Sequence, residues 1–285
     1  MDPTQKDIAD LFSVVVNKDP SVEQPSRKTK GGSAEESQEL GAQCLTDGDY
    51  EKAIEHFRRA IEQRPSSDPS GHIDLAGAYE FAEMAPEALR QYEKALRISK
   101  DTPEPILGVS QLYKRNARYK DSLKHLEDAL VLEPHNAFLR FKMAEVLREI
   151  GEFGAALESA RMAVAAAPSD SFYHYWVGDL LISMRRFDEA LEALRAALEL
   201  SPGDDYLYLR AAVAFWGAGK QPEALKSVRL ASDLDPDKNL YHGVLERMLR
   251  ASGQVDEADL EAKRSSKMDD YDRDALARLT KEIDL

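Results

Sequence analysis

The chain has 285 residues, of which 52 are acidic and 38 are basic, and its formal net charge is −14. This acidic balance argues against a nucleic-acid partner, because binding to phosphates needs a basic face. No apolar run reaches the roughly 18 residues that cross a membrane, and the first residues lack the basic and apolar segments of a signal peptide. We therefore expect a cytoplasmic protein that neither binds nucleic acid nor inserts into a membrane.

The first 33 residues differ in pattern from the rest of the chain. Residues 1–17 are predicted to form a short amphipathic helix, because five apolar side chains recur on one helix face: Ile8, Leu11, Phe12, Val15 and Val16. Residues 18–33 are rich in Pro, Ser, Gly and Lys and are predicted to be a flexible linker. A helix this short is marginal alone, so its apolar face is expected to dock on the chain's own repeats, a second copy or another protein. A tail without structure is the alternative.

From residue 34 onward, alanine recurs in steps of 34 or 35 residues, at Ala60, Ala95, Ala129, Ala163, Ala197 and Ala231. With this alanine as position 27 of a unit, position 20 is small, position 7 is apolar, position 15 is often Gly and position 32 is mostly Pro. Positions 7, 8 and 11 share a face of a first helix, helix A, and positions 20, 24 and 27 share a face of a second, helix B. One such pair cannot bury its apolar face alone, so the period predicts a stack of helix pairs.

This pattern resembles the tetratricopeptide repeat family, and residues 34–67 match its signature best, with Leu40, Gly41, Gly48, Tyr50, Ala53, Phe57, Ala60 and Pro65 in place. The resemblance implies an all-α, right-handed superhelical solenoid of about seven helix pairs. The units are 34–67, 69–102, 103–136, 137–170, 171–204, 205–238 and a degenerate seventh at 239–268. Residues 269–285 are predicted to form a C-terminal capping helix, whose stripe of Leu276, Leu279 and Ile283 suits it to cover the last repeat.

The resemblance also implies that the A helices line the concave face, where positions 2, 5, 9 and 12 are free of the core inside a unit. In the middle units these positions carry Phe138, Phe141, Phe172, Tyr175, Tyr206, Leu209 and Trp216, with Trp176 beside them. Basic side chains border them, namely Lys114, Arg115 and Arg148 on one side and Arg247 and Arg250 on the other. Aromatic anchors of this kind bind a helical or extended segment, so these residues are predicted to form a partner-binding groove. Packing of individual rings between neighbouring A helices is the alternative.

The sequence contains no phosphate-binding loop, nucleophile motif or metal-ligand spacing, so we expect no enzyme activity, no cofactor and no metal. Part of the family clamps the acidic tails of chaperones through Lys and Asn on its first A helices. Here the matching positions are Gln38, Ala42 and Gly77, and we do not expect this clamp. The predicted function is an adaptor or scaffold that binds a client segment in the groove. The alternative is a self-assembling solenoid, a homo-oligomer formed through the N-terminal helix.

Overall fold

The computed structural model describes residues 33–99 and 103–285. The predicted docking helix and nearly all of the predicted linker lie outside these ranges. Within them the chain forms fifteen α-helices and no β-strand, which confirms the predicted all-α class. None of the helices in this part of the chain is long and apolar enough to cross a membrane.

The first fourteen helices form seven consecutive pairs, as predicted. Their bounds are α1 Ala34–Thr46, α2 Tyr50–Gln63, α3 Ser70–Phe81, α4 Ala85–Ile98, α5 Pro103–Arg115, α6 Tyr119–Leu132, α7 Ala137–Glu149, α8 Phe153–Ala166, α9 Ser171–Ser183, α10 Phe187–Leu200, α11 Asp205–Gly217, α12 Gln221–Leu234, α13 Asn239–Ala251 and α14 Val255–Ser265. Odd-numbered helices up to α13 are the A helices of repeats one to seven, and even-numbered helices are their B helices. A final helix, α15, spans Asp270–Glu282.

Each A helix is joined to its B helix by the same tight turn. Its central residue is position 15, and the backbone there is left-handed in all seven repeats, with φ between 56° and 82°: Gly48, Glu83, Ala117, Gly151, Arg185, Gly219 and Gly253. The N–H of the next residue donates to the carbonyl five residues before it, at 2.8–2.9 Å in every repeat. Glycine suits this helix end because it has no Cβ to clash in the left-handed region. The turn therefore explains why glycine recurs at position 15.

The alanines that set the repeat length lie where the helices of a pair approach most closely. All six alanines at position 27 expose 1% of their surface or less. Position 8 is small for the same reason, since a Cβ added to Gly178 would lie only 2.8 Å from Cγ of Leu194. The predicted stripes of small and apolar residues are thus the core of the solenoid.

Successive repeats are also joined by a hydrogen bond that the sequence pattern did not predict. In repeats four to seven, the side chain at position 4 of helix A bonds to the carbonyl of the proline six residues before it, at 2.9–3.3 Å. The pairs are Arg140 with Pro134, His174 with Pro168, Tyr208 with Pro202 and His242 with Pro236. Arginine, histidine and tyrosine all act as donors at this position, so no single residue type marks this hydrogen bond in the sequence. Two of the three histidines at position 4, His174 and His242, make this contact, whereas Nδ1 of His72 lies 2.9 Å from Gln91 Oε1.

The capping helix α15 covers the last repeat, as predicted, but it also reaches back along the concave face. Leu276 and Leu279 are buried, and α15 packs on the A helix α13 rather than on α14. Gly243 of α13 allows this approach, because a Cβ there would lie 3.1 Å from Cδ2 of Leu276. The end of α15 then contacts α11, where Arg210 Nη1 donates to Glu282 Oε2 at 3.0 Å. An eighth A helix would continue the stack, whereas α15 folds over the face that the A helices line.

Candidate peptide-binding surface

Five aromatic side chains from three successive A helices form a continuous surface, which we call the aromatic patch: Phe138 and Phe141 of α7, Phe172 and Tyr175 of α9, and Tyr206 of α11. The ring centroids are 6.0 Å apart for Phe138 and Phe141, 4.9 Å for Phe141 and Phe172, 6.4 Å for Phe172 and Tyr175, and 5.8 Å for Tyr175 and Tyr206. These residues hold positions 2 and 5 of their repeats. Stacking of repeats in register therefore brings residues more than thirty positions apart into ring contact.

The members of the patch differ in how far they reach the surface. Phe172 is 42% exposed and Tyr206 is 37% exposed, whereas Phe138 and Tyr175 are half-buried and Phe141 is only 5% exposed. Phe141 packs beneath Phe172, and the two rings meet edge to face with an angle of 74° between their planes. Edge-to-face contacts of this kind are favourable and hold rings in place. The patch thus presents two ordered exposed rings, one repeat apart, on a buried aromatic support.

Three further residues predicted to line the groove are placed differently. Trp176 is buried, 4.8 Å from the Phe141 ring, and Leu209 is fully buried. Contact between a partner and either side chain would require neighbouring A helices to separate, so these two residues support the surface from below. Trp216 is half-buried, and among the described residues it makes no ring contact with the patch. Trp176 is covered from the preceding A helix, where Phe141 and Arg148 contact its ring.

The basic side chains predicted to border the patch already have partners. Lys114 pairs with Glu145 at 3.2 Å, Arg115 with Glu80 at 3.1 Å, Arg148 with Asp179 at 3.2 Å and Arg250 with Glu246 at 2.7 Å, while Arg247 donates to Thr280 at 3.0 Å. Burial would raise the pKa of Glu145, but Lys142 and Lys114 lower it below its usual value, so this carboxylate stays ionised. A partner carboxylate would therefore compete with internal ones, and the patch is better suited to an apolar ligand.

Beside the patch lies a network of four charged side chains from four helices. Arg210 of α11 is its centre, with only 3% of its side chain exposed. Its Nη2 lies 2.6 Å from Asp179 Oδ1 and its Nη1 lies 3.0 Å from Glu282 Oε2, while Arg148 Nη1 donates to the other oxygen of Asp179. Burial alone would lower the pKa of Arg210, but Asp179 and Glu282 raise it above its ordinary value. The guanidinium thus stays charged and requires both carboxylates.

Comparison with known proteins identifies the family. Sequence models of the tetratricopeptide repeat match residues 45–103, 110–171 and 181–248, about two thirds of the chain. The chain belongs to the tetratricopeptide repeat family. Tyr206 lies inside the third matched segment and Phe172 directly follows the second, so the patch is built on repeats of this family.

Curated relatives match this repeat protein over part of their length. The Hsp70-Hsp90 organising protein of Plasmodium falciparum is 29% identical over 126 residues, covering 41% of this chain and 46% of the relative. Sperm-associated antigen 1 of Rattus norvegicus is 25% identical over 125 residues, covering 44% of this chain and 14% of the relative. The match thus spans less than half the length of these relatives.

Solved structures show the same repeat architecture. YrrB, described as a TPR protein with an unusual peptide-binding site, is 26% identical, with a TM-score of 0.51 over 64% of this chain and 93% of that one. The C-terminal part of a TPR repeat-containing protein from Cytophaga hutchinsonii is 14% identical, with a TM-score of 0.65 over 84% of this chain and 98% of that one. Both support the solenoid fold, and the second covers most of its length.

Proposed function

We propose that this tetratricopeptide repeat protein is a non-enzymatic adaptor that binds a segment of a partner protein on the aromatic patch of repeats four to six. The observation that carries the proposal is the pair of exposed rings, Phe172 and Tyr206, at the same position of adjacent repeats. Large apolar rings exposed side by side are unfavourable in water and are typical of binding surfaces. A helical or extended segment laid across both rings would remove them from water.

The patch is suited to tight binding because its rings are ordered before a partner arrives. Phe172 contacts Phe141, Tyr173, Tyr175 and Trp176 within 6.5 Å between ring centroids. A ring held in this way loses little conformational freedom on binding, which is a main cost of association. Since the nearby cations are paired internally, the segment we propose carries apolar or aromatic side chains spaced to meet rings of two adjacent repeats.

The relatives support an adaptor role but not the same client. An organising protein of two chaperones and a repeat protein with a peptide-binding site are both similar to this chain. In this chain Gln38, at one of the positions of the family's chaperone clamp, donates to Asp74 at 2.6 Å, and Gly77 at another is buried. Neither position offers a cation to an acidic tail. We therefore propose a client that is recognised by apolar side chains.

The test is a selection of peptides from a random display library on the wild-type protein. The selected peptides are then measured against Phe172→Ser/Tyr206→Ser and against the control Met162→Ser/Leu230→Ser. Met162 and Leu230 are 46% and 39% exposed on B helices, so the control removes comparable apolar surface from the other side of the solenoid.

We expect the selected peptides to carry apolar or aromatic residues and to bind the patch variant at least tenfold more weakly, while the control changes affinity less than twofold. Loss of one anchoring ring typically costs about 1–2 kcal/mol of binding free energy. Equal loss in both variants would show non-specific apolar adhesion, and selection of no peptide at all would contradict the proposed function.

A further inference from the structure

Residues 282–285, which we call the closing segment, lie on the concave face beside the aromatic patch. Glu282 binds Arg210 of repeat six, and Asp284 binds Arg185, in the turn of repeat five, at 2.7 Å. Between them Ile283 is 7% exposed, and the apolar side chain of Leu285 packs against the core of the later repeats. Carboxylates alternate with apolar side chains that pack on the repeats, so the segment contacts the repeats much as a short bound peptide would.

The closing segment is held less firmly than the helix that precedes it. In the pair of Asp284 with Arg185, the two side chains are 73% and 56% exposed, and such exposed ion pairs contribute little to stability. Asp284 also has a left-handed backbone with φ of 53°, a conformation that Asp tolerates better than most residues but less readily than glycine. By contrast, the part of α15 before Glu282 is anchored by buried Leu276 and Leu279. The segment can therefore leave the surface while the rest of α15 remains in place.

Removal of the closing segment would leave the surface beneath it short of negative charge. Arg148 and Arg210 would then share the single carboxylate of Asp179, and Arg185 would lose its ion-pair partner. The Nε of Arg210 is buried without a hydrogen-bond acceptor even when Glu282 is bound. A buried guanidinium with too few carboxylates is strongly unfavourable, so this surface requires an acidic ligand.

We propose that the concave face around Arg185 and Arg210 is a binding site for an acidic segment of a partner protein. The closing segment occupies this site as an internal ligand until that segment displaces it. The chemistry of the closing segment defines the ligand: two carboxylates separated by one residue, with apolar side chains between and after them. The residues that define this site lie on repeats five and six, and the site does not require the aromatic patch to bind anything.

The test measures binding of a fluorescent peptide that carries residues 278–285 to the full chain by anisotropy. Glu282→Gln/Asp284→Asn weakens the internal ligand without changing its shape. Asp270→Asn/Asp274→Asn makes the same change of charge on the exposed side of α15, where the Asp270 side chain is 97% exposed, and serves as the control. A second peptide with Gln and Asn in place of Glu282 and Asp284 tests whether the carboxylates are recognised.

We expect the Glu282→Gln/Asp284→Asn protein to bind the first peptide at least tenfold more tightly than the wild type, and the control to match the wild type. The second peptide should bind at least tenfold more weakly. Adding Arg185→Gln to the Glu282→Gln/Asp284→Asn protein should weaken its binding to the first peptide. Adding Arg195→Gln, at a 77% exposed position of α10, should not. Equal binding to the wild type and the variant, equal binding of the two peptides, or no binding to any protein would overturn the proposal.

Hydrogen exchange provides a readout that needs no variant. In the wild-type protein, an excess of the first peptide should speed exchange at residues 282–285 and leave exchange at buried positions of α15, such as Leu276, unchanged. Unchanged exchange at millimolar peptide would overturn the proposed displacement. Peptides selected on the aromatic patch serve as a comparison, because their affinity tests the adaptor function separately and should not change in the Glu282→Gln/Asp284→Asn protein.

Discussion

Replacement of Gly151 by alanine tests whether position 15 sets the geometry of every repeat. Its backbone is left-handed, with φ of 82°, and an added Cβ would have no atom within 4 Å. The only cost in stability is therefore that of placing alanine in a left-handed backbone, about 1–2 kcal/mol. The lower entropy of alanine in the unfolded chain offsets part of this cost. We expect a net loss of about 1 kcal/mol, or roughly 2–4 °C in the thermal midpoint for a domain of this size.

Two matched changes sharpen this test. Gly154→Ala is the same substitution three residues later, inside α8, where an added Cβ also meets nothing, and it should raise the midpoint because alanine favours a helix. Ala117→Gly, where φ is 56°, should also raise it. The midpoints are measured by circular dichroism at 222 nm. If Gly151→Ala and Gly154→Ala shift the midpoint in the same direction, or Ala117→Gly lowers it, the reasoning about position 15 is wrong.

Three further changes test the packing, a buried carboxyl and the segment outside the described residues. Ala163→Leu should destabilise the protein by about 1–3 kcal/mol because position 27 has no free space, whereas Ala165→Leu, on the exposed side of the same helix, should leave the thermal midpoint unchanged. Burial raises the pKa of Asp74 from 3.8 to about 6, so folding favours the protonated carboxyl, and this stability is lost as pH rises through 6. Asp74→Asn should accordingly unfold near the wild-type midpoint at pH 4 and above it at pH 7.5, and a difference that does not change with pH would contradict this. Residues 4–17 should exchange hydrogen slowly in the full chain, either alone or with a partner peptide bound. Fast exchange there under both conditions, with peptide binding unchanged after removal of residues 1–30, would show that this segment does not dock.

The repeat architecture could be predicted because each of its determinants is local. Small side chains at positions 8, 20 and 27 decide how closely two helices approach, and their period alone gives the helix pairs. The left-handed turn recurs even where Glu83 and Arg185 stand in place of glycine. Neighbouring positions impose the same geometry on the turn, so the period was more informative than the identity of any one residue.

The depth of each side chain on the concave face could not be read from the same pattern. Tyr175 and Leu209 both hold position 5, yet one is half-buried and the other fully buried. Their exposure depends on how neighbouring A helices pack against each other across repeats, and the repeat pattern does not specify this packing. The sequence also did not predict that α15 folds back over the A helices. That arrangement joins Arg210 to Glu282 across 72 residues, and it depends on the absence of a Cβ at Gly243.

The most direct test of the adaptor function is photo-crosslinking of a display-selected peptide to the full chain. A photoreactive phenylalanine is placed in turn at Phe172 and Tyr206 on the aromatic patch, and at Met162 and Leu230 on the B helices. The proposed function predicts that the peptide crosslinks at both concave positions and at neither of the other two. Crosslinks at 162 or 230 with none at 172 or 206 would contradict it.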